Sequence, residues 1–313
     1  MHRRARRPFS AAALFPVLTI LIVAAVLPEA TPAQAATKKH TTVGSKVAAR
    51  HHSSVARRRA RRAPVGGVYA RYAVVIDPVT ERVLYEKNAE VTTPIASLTK
   101  LMTAMVFLEQ KPDLSREVEV TREELYHGGH TQLRNHEVAT LGDLLHMSLM
   151  CSDNVATRVL ARESGLAPYD FIQHMNDKAH DLGLTGTKFV EFTGLDENNV
   201  STAADVARIL RAAAGIDLIH SITTTASYEF TNGRYAHHIN STNRLLKSRY
   251  TILGGKTGFI NESGYCFATW LRVDGRDLIA VVLGAPTSAT RFADVVRLVN
   301  KTVAAGFEPQ PKS

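Results

Sequence analysis

The segment TPIASLTKLMTAMV (93–106) places one hydroxyl, Ser97, three residues ahead of one amine, Lys100. Residues three apart share a helix face, so the amine can reach the serine oxygen. A serine hydroxyl is a weak nucleophile until a base takes its proton. A lysine can be that base only when desolvation or a nearby positive charge lowers its pKa, so the pattern calls for a second cation. Thr93-Pro94 just upstream suits a helix that begins here. If Ser97 opens that helix, its backbone N–H is one of the unpaired donors there and can face an oxyanion.

Two further segments complete the set. CSDN (151–154) presents Ser152 and Asn154 from a short break between two helical segments. GGKTGF (254–259) presents Lys256, Thr257 and Gly258 on a strand that begins after two glycines. Lys256 is the required second cation, Thr257 a hydroxyl beside it, and Gly258 a gap where a substrate backbone can approach the strand edge. The structural alternatives are a helix N-cap for Ser152 and a polar strand end for Lys256-Thr257. Ser-x-Asn also occurs in NSTN (240–243), as Ser241 and Asn243. Ser152 is preferred because it sits at a helix junction in the middle of the chain.

Positioning these residues requires strands at both ends of the fold and helices between. YAVVID (72–77) and RVLYEK (82–87) flank a turn and read as a hairpin. Segments 97–110, 139–150, 153–164, 168–182 and 201–214 carry apolar residues at three-to-four spacing. Strand character returns at 254–259, 265–273 and 277–285, with Asp274-Gly275 as a hairpin turn between the last two. A final helix follows at about 288–304. The simplest closure is an α/β (α+β) fold: one five-stranded antiparallel sheet, helices over one face, and an all-helical lobe inserted between its halves.

The chain has 313 residues and a formal charge of +9. Residues 1–67 hold 13 of the 38 Lys+Arg and one acid, Glu29, whereas 68–313 sum to −3. The high pI therefore belongs to a tail, and no nucleic-acid partner follows from it. MHRRARR, the apolar run 11–27 and Ala33-Gln34-Ala35 read as a cleaved export signal over 1–35, a retained anchor being the alternative. Arg6-Arg7 ahead of Pro8-Phe9 is compatible with a twin-arginine signal. Residues 36–67 are basic and without hydrophobic periodicity. They read as a disordered linker, either a plain spacer or a contact to an anionic envelope surface. Export places the protein in the periplasm or cell envelope. Cys151 and Cys266 lie far apart and can be buried free thiols or a disulfide. The histidines of YHGGHTQLRNH (126–136) read as a polar turn, not a metal site.

Ser-x-x-Lys, Ser-Asp-Asn and Lys-Thr-Gly, in this order, with PIASLTKLMTAM, MSLMCSDN, FVEFTGL (189–195), STNRLL (241–246) and GGKTGFINESGYC around them, resemble the low-molecular-mass penicillin-binding proteins. These are the D-alanyl-D-alanine carboxypeptidases and related D,D-endopeptidases, with a serine β-lactamase-like fold. The resemblance covers about 68–305 as the catalytic domain and leaves 306–313 as a tail. It implies that Ser97 attacks the carbonyl of a D-alanine in a peptidoglycan stem peptide while Lys100 takes its proton. It implies that Ser152 passes a proton to the leaving amine in the field of Lys256, that Asn154 holds the substrate amide, and that Thr257 binds a carboxylate. The resemblance further implies that the backbone N–H groups of Ser97 and Phe259 would form the oxyanion hole, and it puts Arg291 where some carboxypeptidases hold the terminal carboxylate. β-Lactams would act as covalent inhibitors, and no metal or organic cofactor is required. The end of the chain soon after the last helix is similar to the short endopeptidase-type members, whereas Arg291 favours a carboxypeptidase. A class A β-lactamase would need a Glu-x-x-Leu-Asn loop after Asn154, which is absent; Glu191 lies in the region but in another context. A non-catalytic wall-binding protein would have at least one motif broken, and none is.

Overall fold

A computed structural model describes residues 67–306. The expected export signal, nearly all of the basic linker and the C-terminal tail lie outside the described residues. The chain begins with β1 (Tyr72–Ile76) and β2 (Val83–Lys87). A two-residue strand, β3 (Thr93–Pro94), leads into a 3-10 turn, Ala96–Leu98, and helix α1 (Thr99–Glu109). The lobe that follows contains β4 (Glu117–Glu119), α2 (Arg122–Leu125), β5 (Val138–Thr140), α3 (Leu141–His146), a π-helical turn (Met147–Cys151), α4 (Asn154–Arg162) and α5 (Pro168–Asp181). After β6 (Val200–Ser201) come α6 (Ala203–Ala214), α7 (Asp217–Thr224) and a hairpin of β7 (Ser227–Thr231) and β8 (Ala236–Asn240). Strands β9 (Thr251–Ile260), β10 (Gly264–Val273) and β11 (Arg276–Ala285) and helix α8 (Ser288–Ala304) close the fold.

The main sheet has the order β2-β1-β11-β10-β9, antiparallel throughout, so the late strands pair with the early ones as expected. Asp274 (φ +48°) and Gly275 (φ +77°) form the turn between β10 and β11, the positive φ values that a two-residue hairpin of right-handed twist requires. Successive side chains in a strand point to opposite faces, and here both faces are buried. Val74, Ile76, Ile279, Val281 and Leu283 pack against the lobe with α1 and α6. Ala73, Val75, Ala280 and Val282 pack against α8 through Phe292, Val295, Leu298 and Val299. Helices therefore cover both faces, not one, because α8 seals the second. The lobe is not purely helical either: β4–β5 and β7–β8 form two small ribbons in it.

Helix α1 also departs from expectation. Every residue from Thr99 to Phe107 is buried, Lys100 included. A helix apolar on all sides belongs in a core, and this one is enclosed by α4, α5 and α6. The hydroxyl and amine at its start thus face an internal cleft between sheet and lobe, with no solvated helix face beside them.

Candidate active site

Ser97 lies in the 3-10 turn between Ile95 and α1, and the residue before it, Ala96, has φ +49°. A non-glycine residue in the left-handed region carries strain that persists only where its surroundings hold it. Two glycines provide that hold. A Cβ on Gly194 (φ +84°) would lie 2.0 Å from Ala96 O, and one on Gly258 would lie 2.9 Å from Ile95 O and 3.1 Å from Ser97 N. The turn is gripped between the 191–195 loop and strand β9. The missing side chain of Gly258 thus admits the protein's own nucleophile turn.

Lys100 Nζ donates to Ser97 Oγ at 3.0 Å, to Asn154 Oδ1 at 2.7 Å and to Thr193 O at 2.6 Å. It is 0% exposed, and burial pushes its amine down to about 8, while the carboxylates of Glu191 and Asp153 pull it back up. Desolvation, not a second cation, is thus the main cause of the depression. The cation–cation effect is evident at the other lysine. Lys256, 1% exposed, is held well below the ordinary lysine range by burial first and then by Lys100 and Arg291.

Lys256 Nζ donates to Ser152 Oγ at 2.7 Å and to Thr257 O at 3.0 Å. Ser152 reaches it because the π-helical turn Met147–Cys151 ends the preceding helix and Ser152 itself adopts φ +67°. Single π turns are concentrated at functional sites for such re-aiming. Asp153 then caps α4 by accepting from Ala156 N, and its other oxygen accepts from Thr131 Oγ1 at 2.7 Å. Asn154 Nδ2 donates to Gly128 O at 3.0 Å, so its amide ties Lys100 to the 128–129 turn.

Thr257 Oγ1 lies 2.6 Å from Thr242 Oγ1, and Thr242 N donates in turn to Met150 O. Phe259 is 45% exposed and stacks on Tyr265 at 4.3 Å between centroids. Strand β9 is an edge of the main sheet, so one row of its backbone groups has no partner strand. Arg291 sits behind that strand, 8% exposed, its guanidinium donating to Gly258 O at 3.0 Å and Cys266 O at 3.4 Å. Both cysteines are free, Cys266 buried and Cys151 half-buried. Of the histidines at 127–136, His136 pairs with Glu119, and among the described residues no group of three or more His, Cys, Asp or Glu is placed to hold a metal.

The sequence motifs thus meet in one place, and three participants lacked an assigned role at the sequence level. Thr193 supplies a carbonyl to Lys100, Thr242 a hydroxyl to Thr257, and Glu191 the order of the 191–194 loop. The Glu191 carboxylate accepts from Thr193 N and Oγ1, from Gly194 N and from Asn199 Nδ2. FVEFTGL and STNRLL, which contain these residues, carried the family resemblance but no spacing that points to a function.

A hydroxyl–amine pair on a buried helix, facing a second such pair from lobe and sheet edge, defines a serine acyl-transfer enzyme of the D,D-peptidase class. The family model described as D-alanyl-D-alanine carboxypeptidase matches residues 19–287. The chain is 37% identical over 231 residues to a D-alanyl-D-alanine endopeptidase of Pseudomonas aeruginosa, a match covering 72% of this chain and 74% of that one. It is 32% identical over 238 residues to the D-alanyl-D-alanine carboxypeptidase DacF of Bacillus subtilis, over 74% of this chain and 61% of that one. The solved structure of the Streptomyces K15 DD-transpeptidase matches with a TM-score of 0.71 at 26% identity, covering 76% of this chain and 98% of that one. The chain belongs to the D-alanyl-D-alanine carboxypeptidase family and is a serine D,D-peptidase of peptidoglycan.

Proposed function

We propose that Ser97 is the acylating nucleophile and Lys100 its base. The observation that carries this is the three-acceptor environment of Lys100. A neutral lysine amine has two N–H donors and one lone pair. Asn154 Oδ1 and Thr193 O take the two donors, which leaves the lone pair turned to the Ser97 hydroxyl at 3.0 Å. With its pKa near 8, a useful fraction of the amine is neutral at physiological pH. Ser97 Oγ attacks the D-alanyl carbonyl, its proton passes to Lys100, and the carbonyl oxygen receives the N–H groups of Ser97 and Phe259. Ser152, bonded to Lys256, delivers a proton to the leaving amine, and water then releases the acyl group. Asn154 keeps one N–H and one lone pair for the substrate amide. Thr257, beside Lys256, receives the carboxylate. Arg291 contributes by holding the carbonyl of Gly258 and by adding positive field behind the strand.

Of the two bonds the family cleaves, we favour the cross-link. The endopeptidase of P. aeruginosa is more similar to this chain than the B. subtilis carboxypeptidase, and the Arg291 guanidinium is engaged by backbone carbonyls. Glu191, bound by backbone N–H groups, is not free to activate water as a β-lactamase glutamate would. Action outside the cytoplasm, on the envelope side, follows from that substrate.

Mass spectrometry of the protein after brief exposure to benzylpenicillin tests the assignment. The expected result is a stable adduct on Ser97 that Ser97→Ala lacks; intact penicillin with no adduct would sink it. Product analysis on cross-linked and uncross-linked muropeptides then reads the preferred bond.

A further inference from the structure

Beyond the catalytic cleft, the tip of the β7–β8 hairpin and the loop after Thr131 enclose an open cavity of about 520 Å³. Its walls include Arg134, Arg234, Tyr235 and Gln132. The two guanidiniums take the same aromatic ring, Arg134 at 4.6 Å and Arg234 at 5.3 Å from the Tyr235 centroid. Neither side chain has a carboxylate partner among the described residues. Two like charges converging on one ring repel each other unless an anion joins them.

The arrangement is held from beneath. Glu137, 2% exposed, accepts from Arg134 N at 2.9 Å and from Asn232 Nδ2 at 2.9 Å, and pairs with the buried His237 ring. One buried carboxylate thus fixes both the loop that carries Arg134 and the hairpin tip that carries Arg234. Tyr228 Oη donates to Asp143 Oδ1 at 2.7 Å and secures the hairpin's other strand to α3. The cavity rim joins the catalytic site through Thr131, whose hydroxyl donates to Asp153, between Ser152 and Asn154. The other end of the hairpin leads, two residues on, to Thr242 beside Thr257. Thr242 lies seven residue steps along the chain from Tyr235, about 23 Å at ~3.3 Å per step when extended.

We propose that this cavity is a remote substrate subsite in which Arg134 and Arg234 bind a carboxylate of the peptidoglycan peptide being cleaved, away from the scissile bond. The proposal rests on the D,D-peptidase reading and names the part of the substrate that reading leaves unassigned. Planar guanidiniums suit carboxylates by paired N–H donors, and the distance requires a substrate longer than a D-alanyl-D-alanine dipeptide. A cross-linked stem peptide has both the length and the free carboxylates.

The test compares wild-type protein with Arg134→Gln/Arg234→Gln on three probes: benzylpenicillin, a cross-linked muropeptide dimer, and the same dimer with its peptide carboxylates away from the scissile bond amidated. The expected result is a roughly 10-fold higher KM for the free-carboxylate dimer with kcat unchanged, about 1.4 kcal/mol of lost binding. The variant should match wild type on the amidated dimer and in the penicillin acylation rate. Arg134→Lys/Arg234→Lys should recover part of the affinity. An unchanged KM on the free dimer would overturn the subsite, and an equal loss on both dimers would overturn carboxylate recognition. Failure of penicillin to acylate the wild-type protein would instead remove the Ser97 assignment and is read separately.

Discussion

Lys100→Met should slow acylation of Ser97 by a penicillin by roughly 10³-fold, the scale of lost general-base catalysis, while the domain stays folded. The stability half of this expectation follows from burial. An ordinary lysine titrates at 10.5 and Lys100 at about 8, so at neutral pH the folded protein holds a proton on a poorly solvated amine. That penalty is about 3 kcal/mol at ~1.4 kcal/mol per pKa unit. Methionine removes it, and leaves Asn154 Oδ1 and Thr193 O without their donor, at about 1–3 kcal/mol each. The two nearly cancel, so Tm should stay within several degrees. A loss of activity accompanied by unfolding would mean Lys100 is structural.

The pH dependence of the wild-type enzyme follows from the same amine. Below pH 8 Lys100 is protonated and has no lone pair for Ser97; above it the amine is neutral. Acylation should therefore rise with pH along a limb whose midpoint is near 8. Glu191→Gln removes a negative charge that raises this pKa, so the midpoint should move down. The folded-state value lies below the unfolded one, so the unfolded chain binds the extra proton between about pH 8 and 10.5 and the penalty of burying Lys100 fades across that window, raising stability. Stopped-flow acylation across pH 5–10 reads the limb. A flat profile, or an upward shift in Glu191→Gln, would refute Lys100 as the base.

Much of this was legible in the sequence because catalytic groups come from short local patterns. Ser97 and Lys100 are three apart at one helix start, and Ser152 and Asn154 two apart at one break. Lys256 and Thr257 share one strand, so spacing alone makes each pair visible. The five-stranded sheet was legible too, since the short apolar runs at 72–77, 265–273 and 277–285 are bounded by turn residues and the early strands needed the late ones to close a sheet. What was not legible depends on contacts across the fold. Thr193 acts through a backbone carbonyl, which any residue type could provide, and Thr242 acts through a hydroxyl fifteen residues from its partner in sequence. The hairpin 227–240 was missed because Ser227, Glu229, Thr231, Ala236, His238 and Asn240 point to solvent, leaving only a weak apolar stripe. The bond from the Arg291 guanidinium to Gly258 O was not legible either, since it joins residues 33 apart in sequence.

Gly194→Ala should be the most damaging single-atom-scale change outside the titrating groups. Its backbone is in the left-handed region at φ +84°, where an L side chain is strained by about 1–2 kcal/mol before any contact is counted. The added Cβ would then lie 2.0 Å from Ala96 O, 2.2 Å from Ala96 C and 2.8 Å from Ser97 N. All three are backbone atoms of the nucleophile turn, so no side-chain rotation can relieve the overlap. Either the 191–195 loop withdraws, taking Thr193 O from Lys100, or the turn shifts and carries Ser97 from its 3.0 Å contact. A displacement near 1 Å costs on the order of 10²-fold in rate, and Tm should fall by about 5–10 °C at ~2–4 °C per kcal/mol. Gly258→Ala meets only the milder 2.9–3.1 Å contacts at an ordinary φ and should lose less of both. Gly233→Ala, at φ +82° with nothing within 4 Å, has the strain without the collision and should acylate like wild type. If Gly194→Ala also acylates at the wild-type rate, the two-glycine grip on Ser97 is wrong, and the strained Ala96 must be held by the sheet edge alone.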